Sequence, residues 1–262
     1  MKRNQTGAAL IVVMVFLIVI AVVGTLAIRQ SMVTLNIATN SQVQQLVIQN
    51  SDSAFFNVEN VNNLAKSLSA SGMFGYISNA NDKNKELVFC YRGDQSEFFN
   101  IANANIMQWE SGKSTPTNNS LGVNGYCDAR QSVSGNWFTS GRRAVMTQVS
   151  VKFSTEGVLN PFEGRALGSD PKGGQIEEVK RVKIFAVSLM PTLTSVSRTD
   201  INTCLQSRMN EITIPEDTPK PSIATGTPDK DNVLKTVTEC LTNLNVPFTT
   251  QVSEYNITQD FS

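Results

Sequence analysis

The hydrophobic pattern of this chain is dominated by residues 8–28, an apolar run that contains no charged side chain. Its length matches the roughly 20 apolar residues that a helix needs to cross a bilayer core. Lys2 and Arg3 precede the run and Arg29 follows it. Because basic residues favour the cytoplasmic side of a membrane, the two leading charges place the N-terminus in the cytoplasm. The pattern predicts a single membrane-spanning helix with an extracytoplasmic body.

An amphipathic pattern follows the apolar run. Apolar residues three, four or seven positions apart define one helical face, at Val43, Val47, Ala54, Val58, Val61, Ala65 and Leu68. Phe55 and Phe56 widen this face. Residues 33–37 alternate with the period of a strand, and Gly24 lowers helix propensity, but such short signals are overridden by their context. We expect one continuous helix over residues 8–70, packed through its amphipathic half on a globular body.

Three segments of the body have the patterns of strands, at residues 86–92, 143–153 and 175–189. In the second segment, apolar residues alternate with Gln148 and Lys152, which predicts one face towards the core and one polar face. The second and third strands should pair antiparallel. A long N-terminal helix packed on an antiparallel β-sheet is an α+β fold.

The segments between these strands are less regular. Residues 101–110 fit neither period clearly, although Trp109 is expected in the core. Residues 111–125 and 157–174 are rich in turn-forming residues and are predicted to be loops.

The C-terminal part of the chain has a different character. Its pattern predicts two short helices at residues 200–210 and 231–243, a Pro-rich loop between them at residues 214–230 and a last strand at residues 247–262. Asp200 and Asp231 are the expected N-caps of the two helices, because a carboxylate oxygen can accept from the free N–H groups of a first turn.

Charge and histidine content exclude several classes of function. The chain has 22 basic and 22 acidic residues, whereas a dedicated nucleic-acid-binding protein carries a basic excess. It contains no histidine, which excludes Ser-His-Asp and Cys-His catalysis and histidine-ligated zinc or haem. A carboxylate pair could still act, but no spacing locates one, and we expect neither catalytic activity nor a cofactor.

Two short segments contain closely spaced oxygen ligands of the kind that bind calcium. Residues 79–86 lack the central glycine of a calcium loop and contain two lysines, and a lysine also interrupts residues 229–231. We expect solvated polar turns at both places and no bound metal.

The four cysteines are Cys90, Cys127, Cys204 and Cys240, and no two of them form a C-x-x-C motif. Neither a redox motif nor a zinc ribbon is therefore indicated. Export to an oxidising compartment favours disulfides over free buried thiols. Three connectivities are possible, and proximity in sequence favours Cys90–Cys127 with Cys204–Cys240.

The residues before the apolar run allow three interpretations. A cleaved secretory signal has a shorter apolar core and a small-residue cleavage site, which this segment lacks. A plain membrane anchor is the second. The third is a class III prepilin signal, whose short basic leader ends in a glycine directly before the helix, as Lys2, Arg3, Gly7 and Ala8 do. The segment, MKRNQTG followed by AALIVV, resembles the N-terminus of type IV pilin-like proteins, particularly minor pilins of the PilX type.

This resemblance implies two covalent modifications and one departure from the family. A prepilin peptidase would cut between Gly7 and Ala8 on the cytoplasmic side and methylate the new amine of Ala8. Major pilins carry Glu at the fifth residue after the cut, where it pairs with the N-terminal amine of a neighbouring subunit. Here that residue is Val12. Since an unpaired charge is costly in apolar surroundings, the absence of the acid implies a subunit at the filament tip.

The resemblance also implies a function and partners. It predicts a minor pilin of the tip or initiation complex that primes assembly of a type IV pilus and supports twitching motility, adhesion or DNA uptake. Its partners would be other minor pilins, the major pilin, the prepilin peptidase, the inner membrane and the assembly platform there, with the body periplasmic and finally at the pilus tip on the cell surface. The alternatives are a tip minor pseudopilin of a type II secretion system that contacts exported cargo and, more remotely, an anchored periplasmic enzyme.

The predicted organisation has four segments. We expect a prepilin leader at residues 1–7 and a pilin helix at residues 8–70, whose transmembrane part is the apolar run at residues 8–28. An α+β pilin body should follow at residues 71–191 and a C-terminal elaboration at residues 192–262. The resemblance is specific to the leader and the helix, and the C-terminal segment is predicted from its own pattern alone.

Overall fold

The computed structural model describes residues 6–78, 82–93, 95–121, 125–130, 137–139, 144–153 and 180–257, with side chains in the first helix described from Leu10 onward. Contacts within the chain separate it into two units, Met1–Gln45 and Leu46–Ser262. The connection predicted at residues 157–174 lies outside the described residues.

Helix α1 spans Thr6–Val58 and forms the first unit before continuing into the second. It includes residues 33–37, and the expected continuous helix through this stretch is confirmed. The hydroxyl of Thr34 donates to the carbonyl of Gln30 at 2.9 Å. Such a bond satisfies a hydroxyl within its own helix, which suits a helix in apolar surroundings.

The helix ends earlier than residue 70. A second helix, α2, spans Val61–Leu68, and Asn60 between the two has an extended backbone. The side-chain oxygen of Asn60 accepts from the N–H of Asn62 at 3.0 Å, which is the geometry of an N-cap. Phe56 is 72% exposed, so its predicted role in packing is wrong, whereas Phe55 packs against the core.

The second unit contains a six-stranded antiparallel sheet, which confirms the predicted α+β class. Its strands are β1 (Lys85–Tyr91), β2 (Ala104–Gln108), β3 (Thr117–Ser120), β4 (Met146–Phe153), β5 (Lys180–Leu189) and β6 (Phe248–Ile257), in the order β3-β2-β1-β4-β5-β6. The predicted antiparallel pairing of β4 with β5 is confirmed, with Val149 opposite Ala186. The predicted loop at residues 111–125 is wrong in part, because β3 lies within it and pairs with β2.

One face of the sheet packs against the C-terminal part of α1. Ala54 and Val58 are buried there against a shared set of sheet residues, Leu87, Phe89, Val149, Val151, Ile184 and Ala186. Burying each Val, Leu, Ile or Phe side chain among them stabilises the fold by about 1.5–3 kcal/mol. The hydroxyl of Ser51 donates to that of Ser188 at 2.8 Å and fixes the helix on β5.

The other face of the sheet is also covered. Helices α3 (Arg198–Ser207) and α4 (Val237–Asn243) lie over it. Their buried residues Ile201, Leu205, Val237 and Leu241 form a second core with Met146, Val187 and Leu189. The polar face predicted for β4 is therefore not exposed to solvent, and every residue of that strand is buried. Trp109 is fully buried, as predicted.

The two tail helices are capped by residues other than those predicted. Ser197 caps α3 by accepting from the N–H of Thr199, and Asp200 lies in the first turn. Thr236 caps α4 in a capping box with Glu239. Because a capping box satisfies two free N–H groups at once, it outweighs a lone carboxylate further upstream such as Asp231.

Two disulfides lie in the second core. Cys90 of β1 is bonded to Cys127, and Cys204 of α3 is bonded to Cys240 of α4. All four residues are buried. This pairing is the one favoured by sequence proximity, and it ties the two tail helices to each other.

We expect the Cys204–Cys240 disulfide to hold the tail on the sheet. The Cys204→Ala/Cys240→Ala variant loses a cross-link between residues 36 apart, which the chain-entropy model values at about 4 kcal/mol. In hydrogen exchange of the detergent-solubilised protein, residues 198–243 should lose protection before the helix–sheet core. The matched control is Cys90→Ala/Cys127→Ala, whose loss of protection should centre on residues 125–130. Identical exchange patterns in the two variants would contradict this assignment.

Candidate functional site

The first feature with functional meaning is the surface of α1 between Leu10 and Ile37, which we call the apolar helix surface. Every large hydrophobic side chain in this range is more than half exposed. Among the described residues, α1 is the one helix long and apolar enough to cross a membrane. The chain therefore has the composition of a single-pass membrane protein.

The apolar helix surface extends beyond the predicted membrane span of residues 8–28. Met32, Val33, Leu35 and Ile37 follow Arg29 and are 57–66% exposed. A bilayer core accommodates roughly 20 helical residues, so the span already fills it. Contiguous exposed apolar patches of this kind mark protein or membrane interaction sites.

The residues expected to be processed lie at the start of α1. Gly7 and Ala8 are in its first turn, and their side chains are outside the described set, as are Lys2 and Arg3 altogether. Val12 is 53% exposed among other apolar residues. The structure thus places the predicted cleavage position at a helix end and Val12 on the apolar helix surface.

The second feature is a buried polar cluster that fixes the tail, which we call the tail clamp. It comprises Glu86 of β1, Lys152 of β4, and Asn210, Glu211 and Thr213 of the tail. Glu86 is fully buried, and its carboxylate accepts from the backbone N–H groups of Asn210 (3.0 Å) and Glu211 (2.8 Å). These bonds hold an irregular segment of backbone on the face of the sheet.

Lys152 provides the cation of the tail clamp. Its ammonium is fully buried and donates to the carbonyl of Glu211 at 2.7 Å and to the hydroxyl of Thr213. It lies 3.4 Å from the Glu211 carboxylate, which Lys183 also contacts at 2.9 Å. Lys152, Lys183 and Glu211 are therefore each paired with an opposite charge, as burial of a charge requires.

Burial shifts the ionisation of the clamp. It raises the pKa of the Glu86 carboxyl, against hydrogen bonds from Asn210 and the charge of Lys152, which act in the opposite direction. Burial likewise lowers the pKa of Lys152, and the charges of Glu86 and Glu211 oppose this shift. Burial also disfavours the charged form of Glu211, but the hydrogen bond from Lys183 and the charges of Lys152 and Lys183 together outweigh it and lower the pKa of that carboxyl. These hydrogen bonds and charge pairs hold the tail on the sheet.

From the sequence alone, the polar residues of β4 were assigned to a polar face, and their role in holding the tail was not predicted. Gln148 is buried, donates to the carbonyl of Leu205 at 2.9 Å and accepts from the N–H of Cys127 at 3.2 Å. The available signal was in the tail, where Ile201 and Leu205 are spaced as one face of a helix and require a surface to cover.

The segments considered for calcium contain their own counter-ions. Asp82 pairs with Lys85 at 2.6 Å, and residues 79–81 of that segment lie outside the described range. Asp229 accepts from the side-chain amide of Asn243 and lies 3.9 Å from Lys235. A search of the described residues for three or more clustered His, Cys, Asp or Glu side chains finds no metal site.

Comparisons of the chain with family profiles, with curated proteins and with solved structures give no match. The geometry itself defines an α+β protein with an exposed apolar N-terminal helix, two disulfides and a tail clamped over the sheet.

We expect Lys152→Met to destabilise the second unit by about 3 kcal/mol, because the buried Glu86 carboxylate loses the positive charge that opposes its desolvation, and the Glu211 carbonyl and Thr213 hydroxyl lose their donor. Urea unfolding of the detergent-solubilised protein, followed by the fluorescence of buried Trp109 and Trp137, measures this effect. The control is Lys183→Met, since Lys183 is 14% exposed and contacts the same carboxylate from the rim. It should cost about 1 kcal/mol or less. Equal losses in the two variants would show that the tail clamp is not buried as described.

Proposed function

We propose that this protein is a PilX-type minor pilin, a subunit of the tip or initiation complex that primes assembly of a type IV pilus. The observation that carries the proposal is the uninterrupted α1 helix, apolar and exposed over its first part and packed on an antiparallel sheet over its last. The leader residues Lys2, Arg3 and Gly7 directly before the apolar run support it independently.

In this proposal the two ends of α1 have different environments. Before assembly, residues 8–28 cross the inner membrane with the leader in the cytoplasm and the second unit in the periplasm. The prepilin peptidase removes the leader at Gly7 and methylates Ala8. The assembly platform then moves the helix from lipid into a bundle of pilin helices, where other minor pilins and the major pilin cover the apolar helix surface.

Val12 supports a place at the tip of the filament. In the resembled family, the acid at this position neutralises the amine of a neighbouring subunit, and a terminal subunit has no such neighbour above it. The body also carries a second layer, α3 and α4, on the face of the sheet opposite α1. This added bulk is tolerated at an end, where lateral packing is incomplete. By resemblance, the subunit would support twitching motility, adhesion or DNA uptake.

The same observations fit a tip minor pseudopilin of a type II secretion system, because Val12 and the α+β architecture are equally suitable there. The identity of the neighbouring genes separates the two machines. In either machine the role is structural, and we propose no catalytic step.

The tip assignment is tested by immunogold labelling of sheared pili with an antibody against the body. We expect gold at one end of each pilus and loss of piliation when the gene is deleted. Gold distributed evenly along the shafts would contradict the assignment.

A Val12→Glu variant should not improve assembly, and Val13→Glu is its matched control, since both place a carboxylate in the same part of the helix. Improved piliation with Val12→Glu alone would show that the position serves a shaft subunit.

A further inference from the structure

Strand β6 forms one edge of the sheet and is unusually open for its length. It spans Phe248–Ile257, and each of its ten residues is paired in register with β5. No other described strand lies beside it. Its sequence, FTTQVSEYNI, contains neither Pro nor Lys, two devices by which proteins protect exposed sheet edges, and Glu254 is its one charged residue.

The backbone of β6 supplies the binding groups. In an antiparallel edge strand, alternate residues direct their N–H and C=O groups away from the sheet. None of these outward groups in β6 has a hydrogen bond to another described residue. A row of unpaired donors and acceptors at this spacing is complementary to one ligand class, an extended polypeptide that pairs as a further strand.

An apolar groove adjoins the C-terminal end of this edge. A cavity of about 400 Å³ lies between α2 and β6, lined by Val58, Leu64, Leu68, Phe74, Tyr255 and Ile257 among others. Leu64 is 42% exposed. A strand added to β6 would direct every second side chain to this face of the sheet, so an apolar side chain in it would enter the groove.

The charges around the edge are acidic. Asp52 accepts from the side chain of Gln251 at 2.8 Å, and Glu59 accepts from the hydroxyl of Tyr255 at 2.8 Å, so both carboxylates lie beside β6. Glu254 of the strand is paired with Lys183 of β5 at 3.5 Å, whereas no salt bridge between described residues involves Asp52 or Glu59. Residues 46–60 and 248–257 themselves contain no Lys or Arg. Two copies of this edge would oppose like charges. The complementary partner is a different chain with basic flanks.

We propose that the open edge of β6 and the adjoining groove are a docking site for an extended segment of another protein, apolar at alternate positions and flanked by Lys or Arg. The segment adds to the sheet as a further strand and places one apolar side chain against Leu64. This inference does not depend on the pilus proposal, because it rests on the second unit alone and is tested with purified protein.

The test uses the full chain in detergent micelles and three fluorescent peptides. The first alternates Val and Thr between terminal Lys residues. The second has Glu in place of both Lys residues, and the third is the first with alternate peptide nitrogens methylated to remove hydrogen-bond donors along one edge. We expect anisotropy to show binding of the first, roughly tenfold weaker binding of the second and none of the third, with new exchange protection confined to residues 248–257.

Two protein variants locate the site. Leu64→Ser should weaken binding of the first peptide about fivefold through lost apolar contact, whereas Leu193→Ser, at a similarly exposed leucine, should leave it unchanged. Circular dichroism establishes that both variants fold. Three results would overturn the proposal: equal binding of the methylated peptide, self-association of the chain that the first peptide displaces, or full protection of β6 amides before any peptide is added.

Discussion

The apolar helix surface is the feature on which the biology of this chain depends. Nineteen large hydrophobic side chains between Leu10 and Ile37 are more than half exposed. At about 1 kcal/mol for each half-exposed side chain, water would oppose this arrangement by roughly 20 kcal/mol, more than the 5–15 kcal/mol by which domains are typically stable. Lipid could cover a membrane span, and in the proposed filament other subunits would cover this surface. The exposed helix is therefore what the proposed minor pilin requires.

In contrast to the exposed apolar helix surface, the second unit buries the apolar side chains on both faces of its sheet. The end of α1 covers one face, and α3 and α4 cover the other. The tail also contributes β6, so it completes the sheet as well as covering it. Two devices hold it there, the Cys204–Cys240 bond between its helices and the tail clamp centred on Glu86 and Lys152. The outer edge of β6 is open because no other described strand pairs with it.

Periodicity was sufficient for the elements that have strong local patterns. The apolar run predicted the exposed part of α1, and the strands later found as β1, β4 and β5 were recognisable from their residues alone. The packing of the tail over the second face of the sheet was not recognisable from the sequence. Lys152 and Gln148 alternate with apolar residues as solvent-facing side chains do, and only their contacts with residues 205–213 reveal that they are buried. The short strand β3 was missed for a similar reason: its sequence, TNNS, has low strand propensity and is held by pairing with β2. Processing between Gly7 and Ala8 is predicted from the motif alone.

The central claim, that this chain is a prepilin-type subunit, is tested most directly by the mass of its mature N-terminus. The protein should be isolated from the membranes and sheared pili of cells that express it, and its N-terminal peptide analysed by tandem mass spectrometry. We expect a chain that begins at N-methylated Ala8, with residues 1–7 absent. A chain that retains Met1 to Gly7, or one cut near Ala27 as a secretory signal would be, contradicts the assignment.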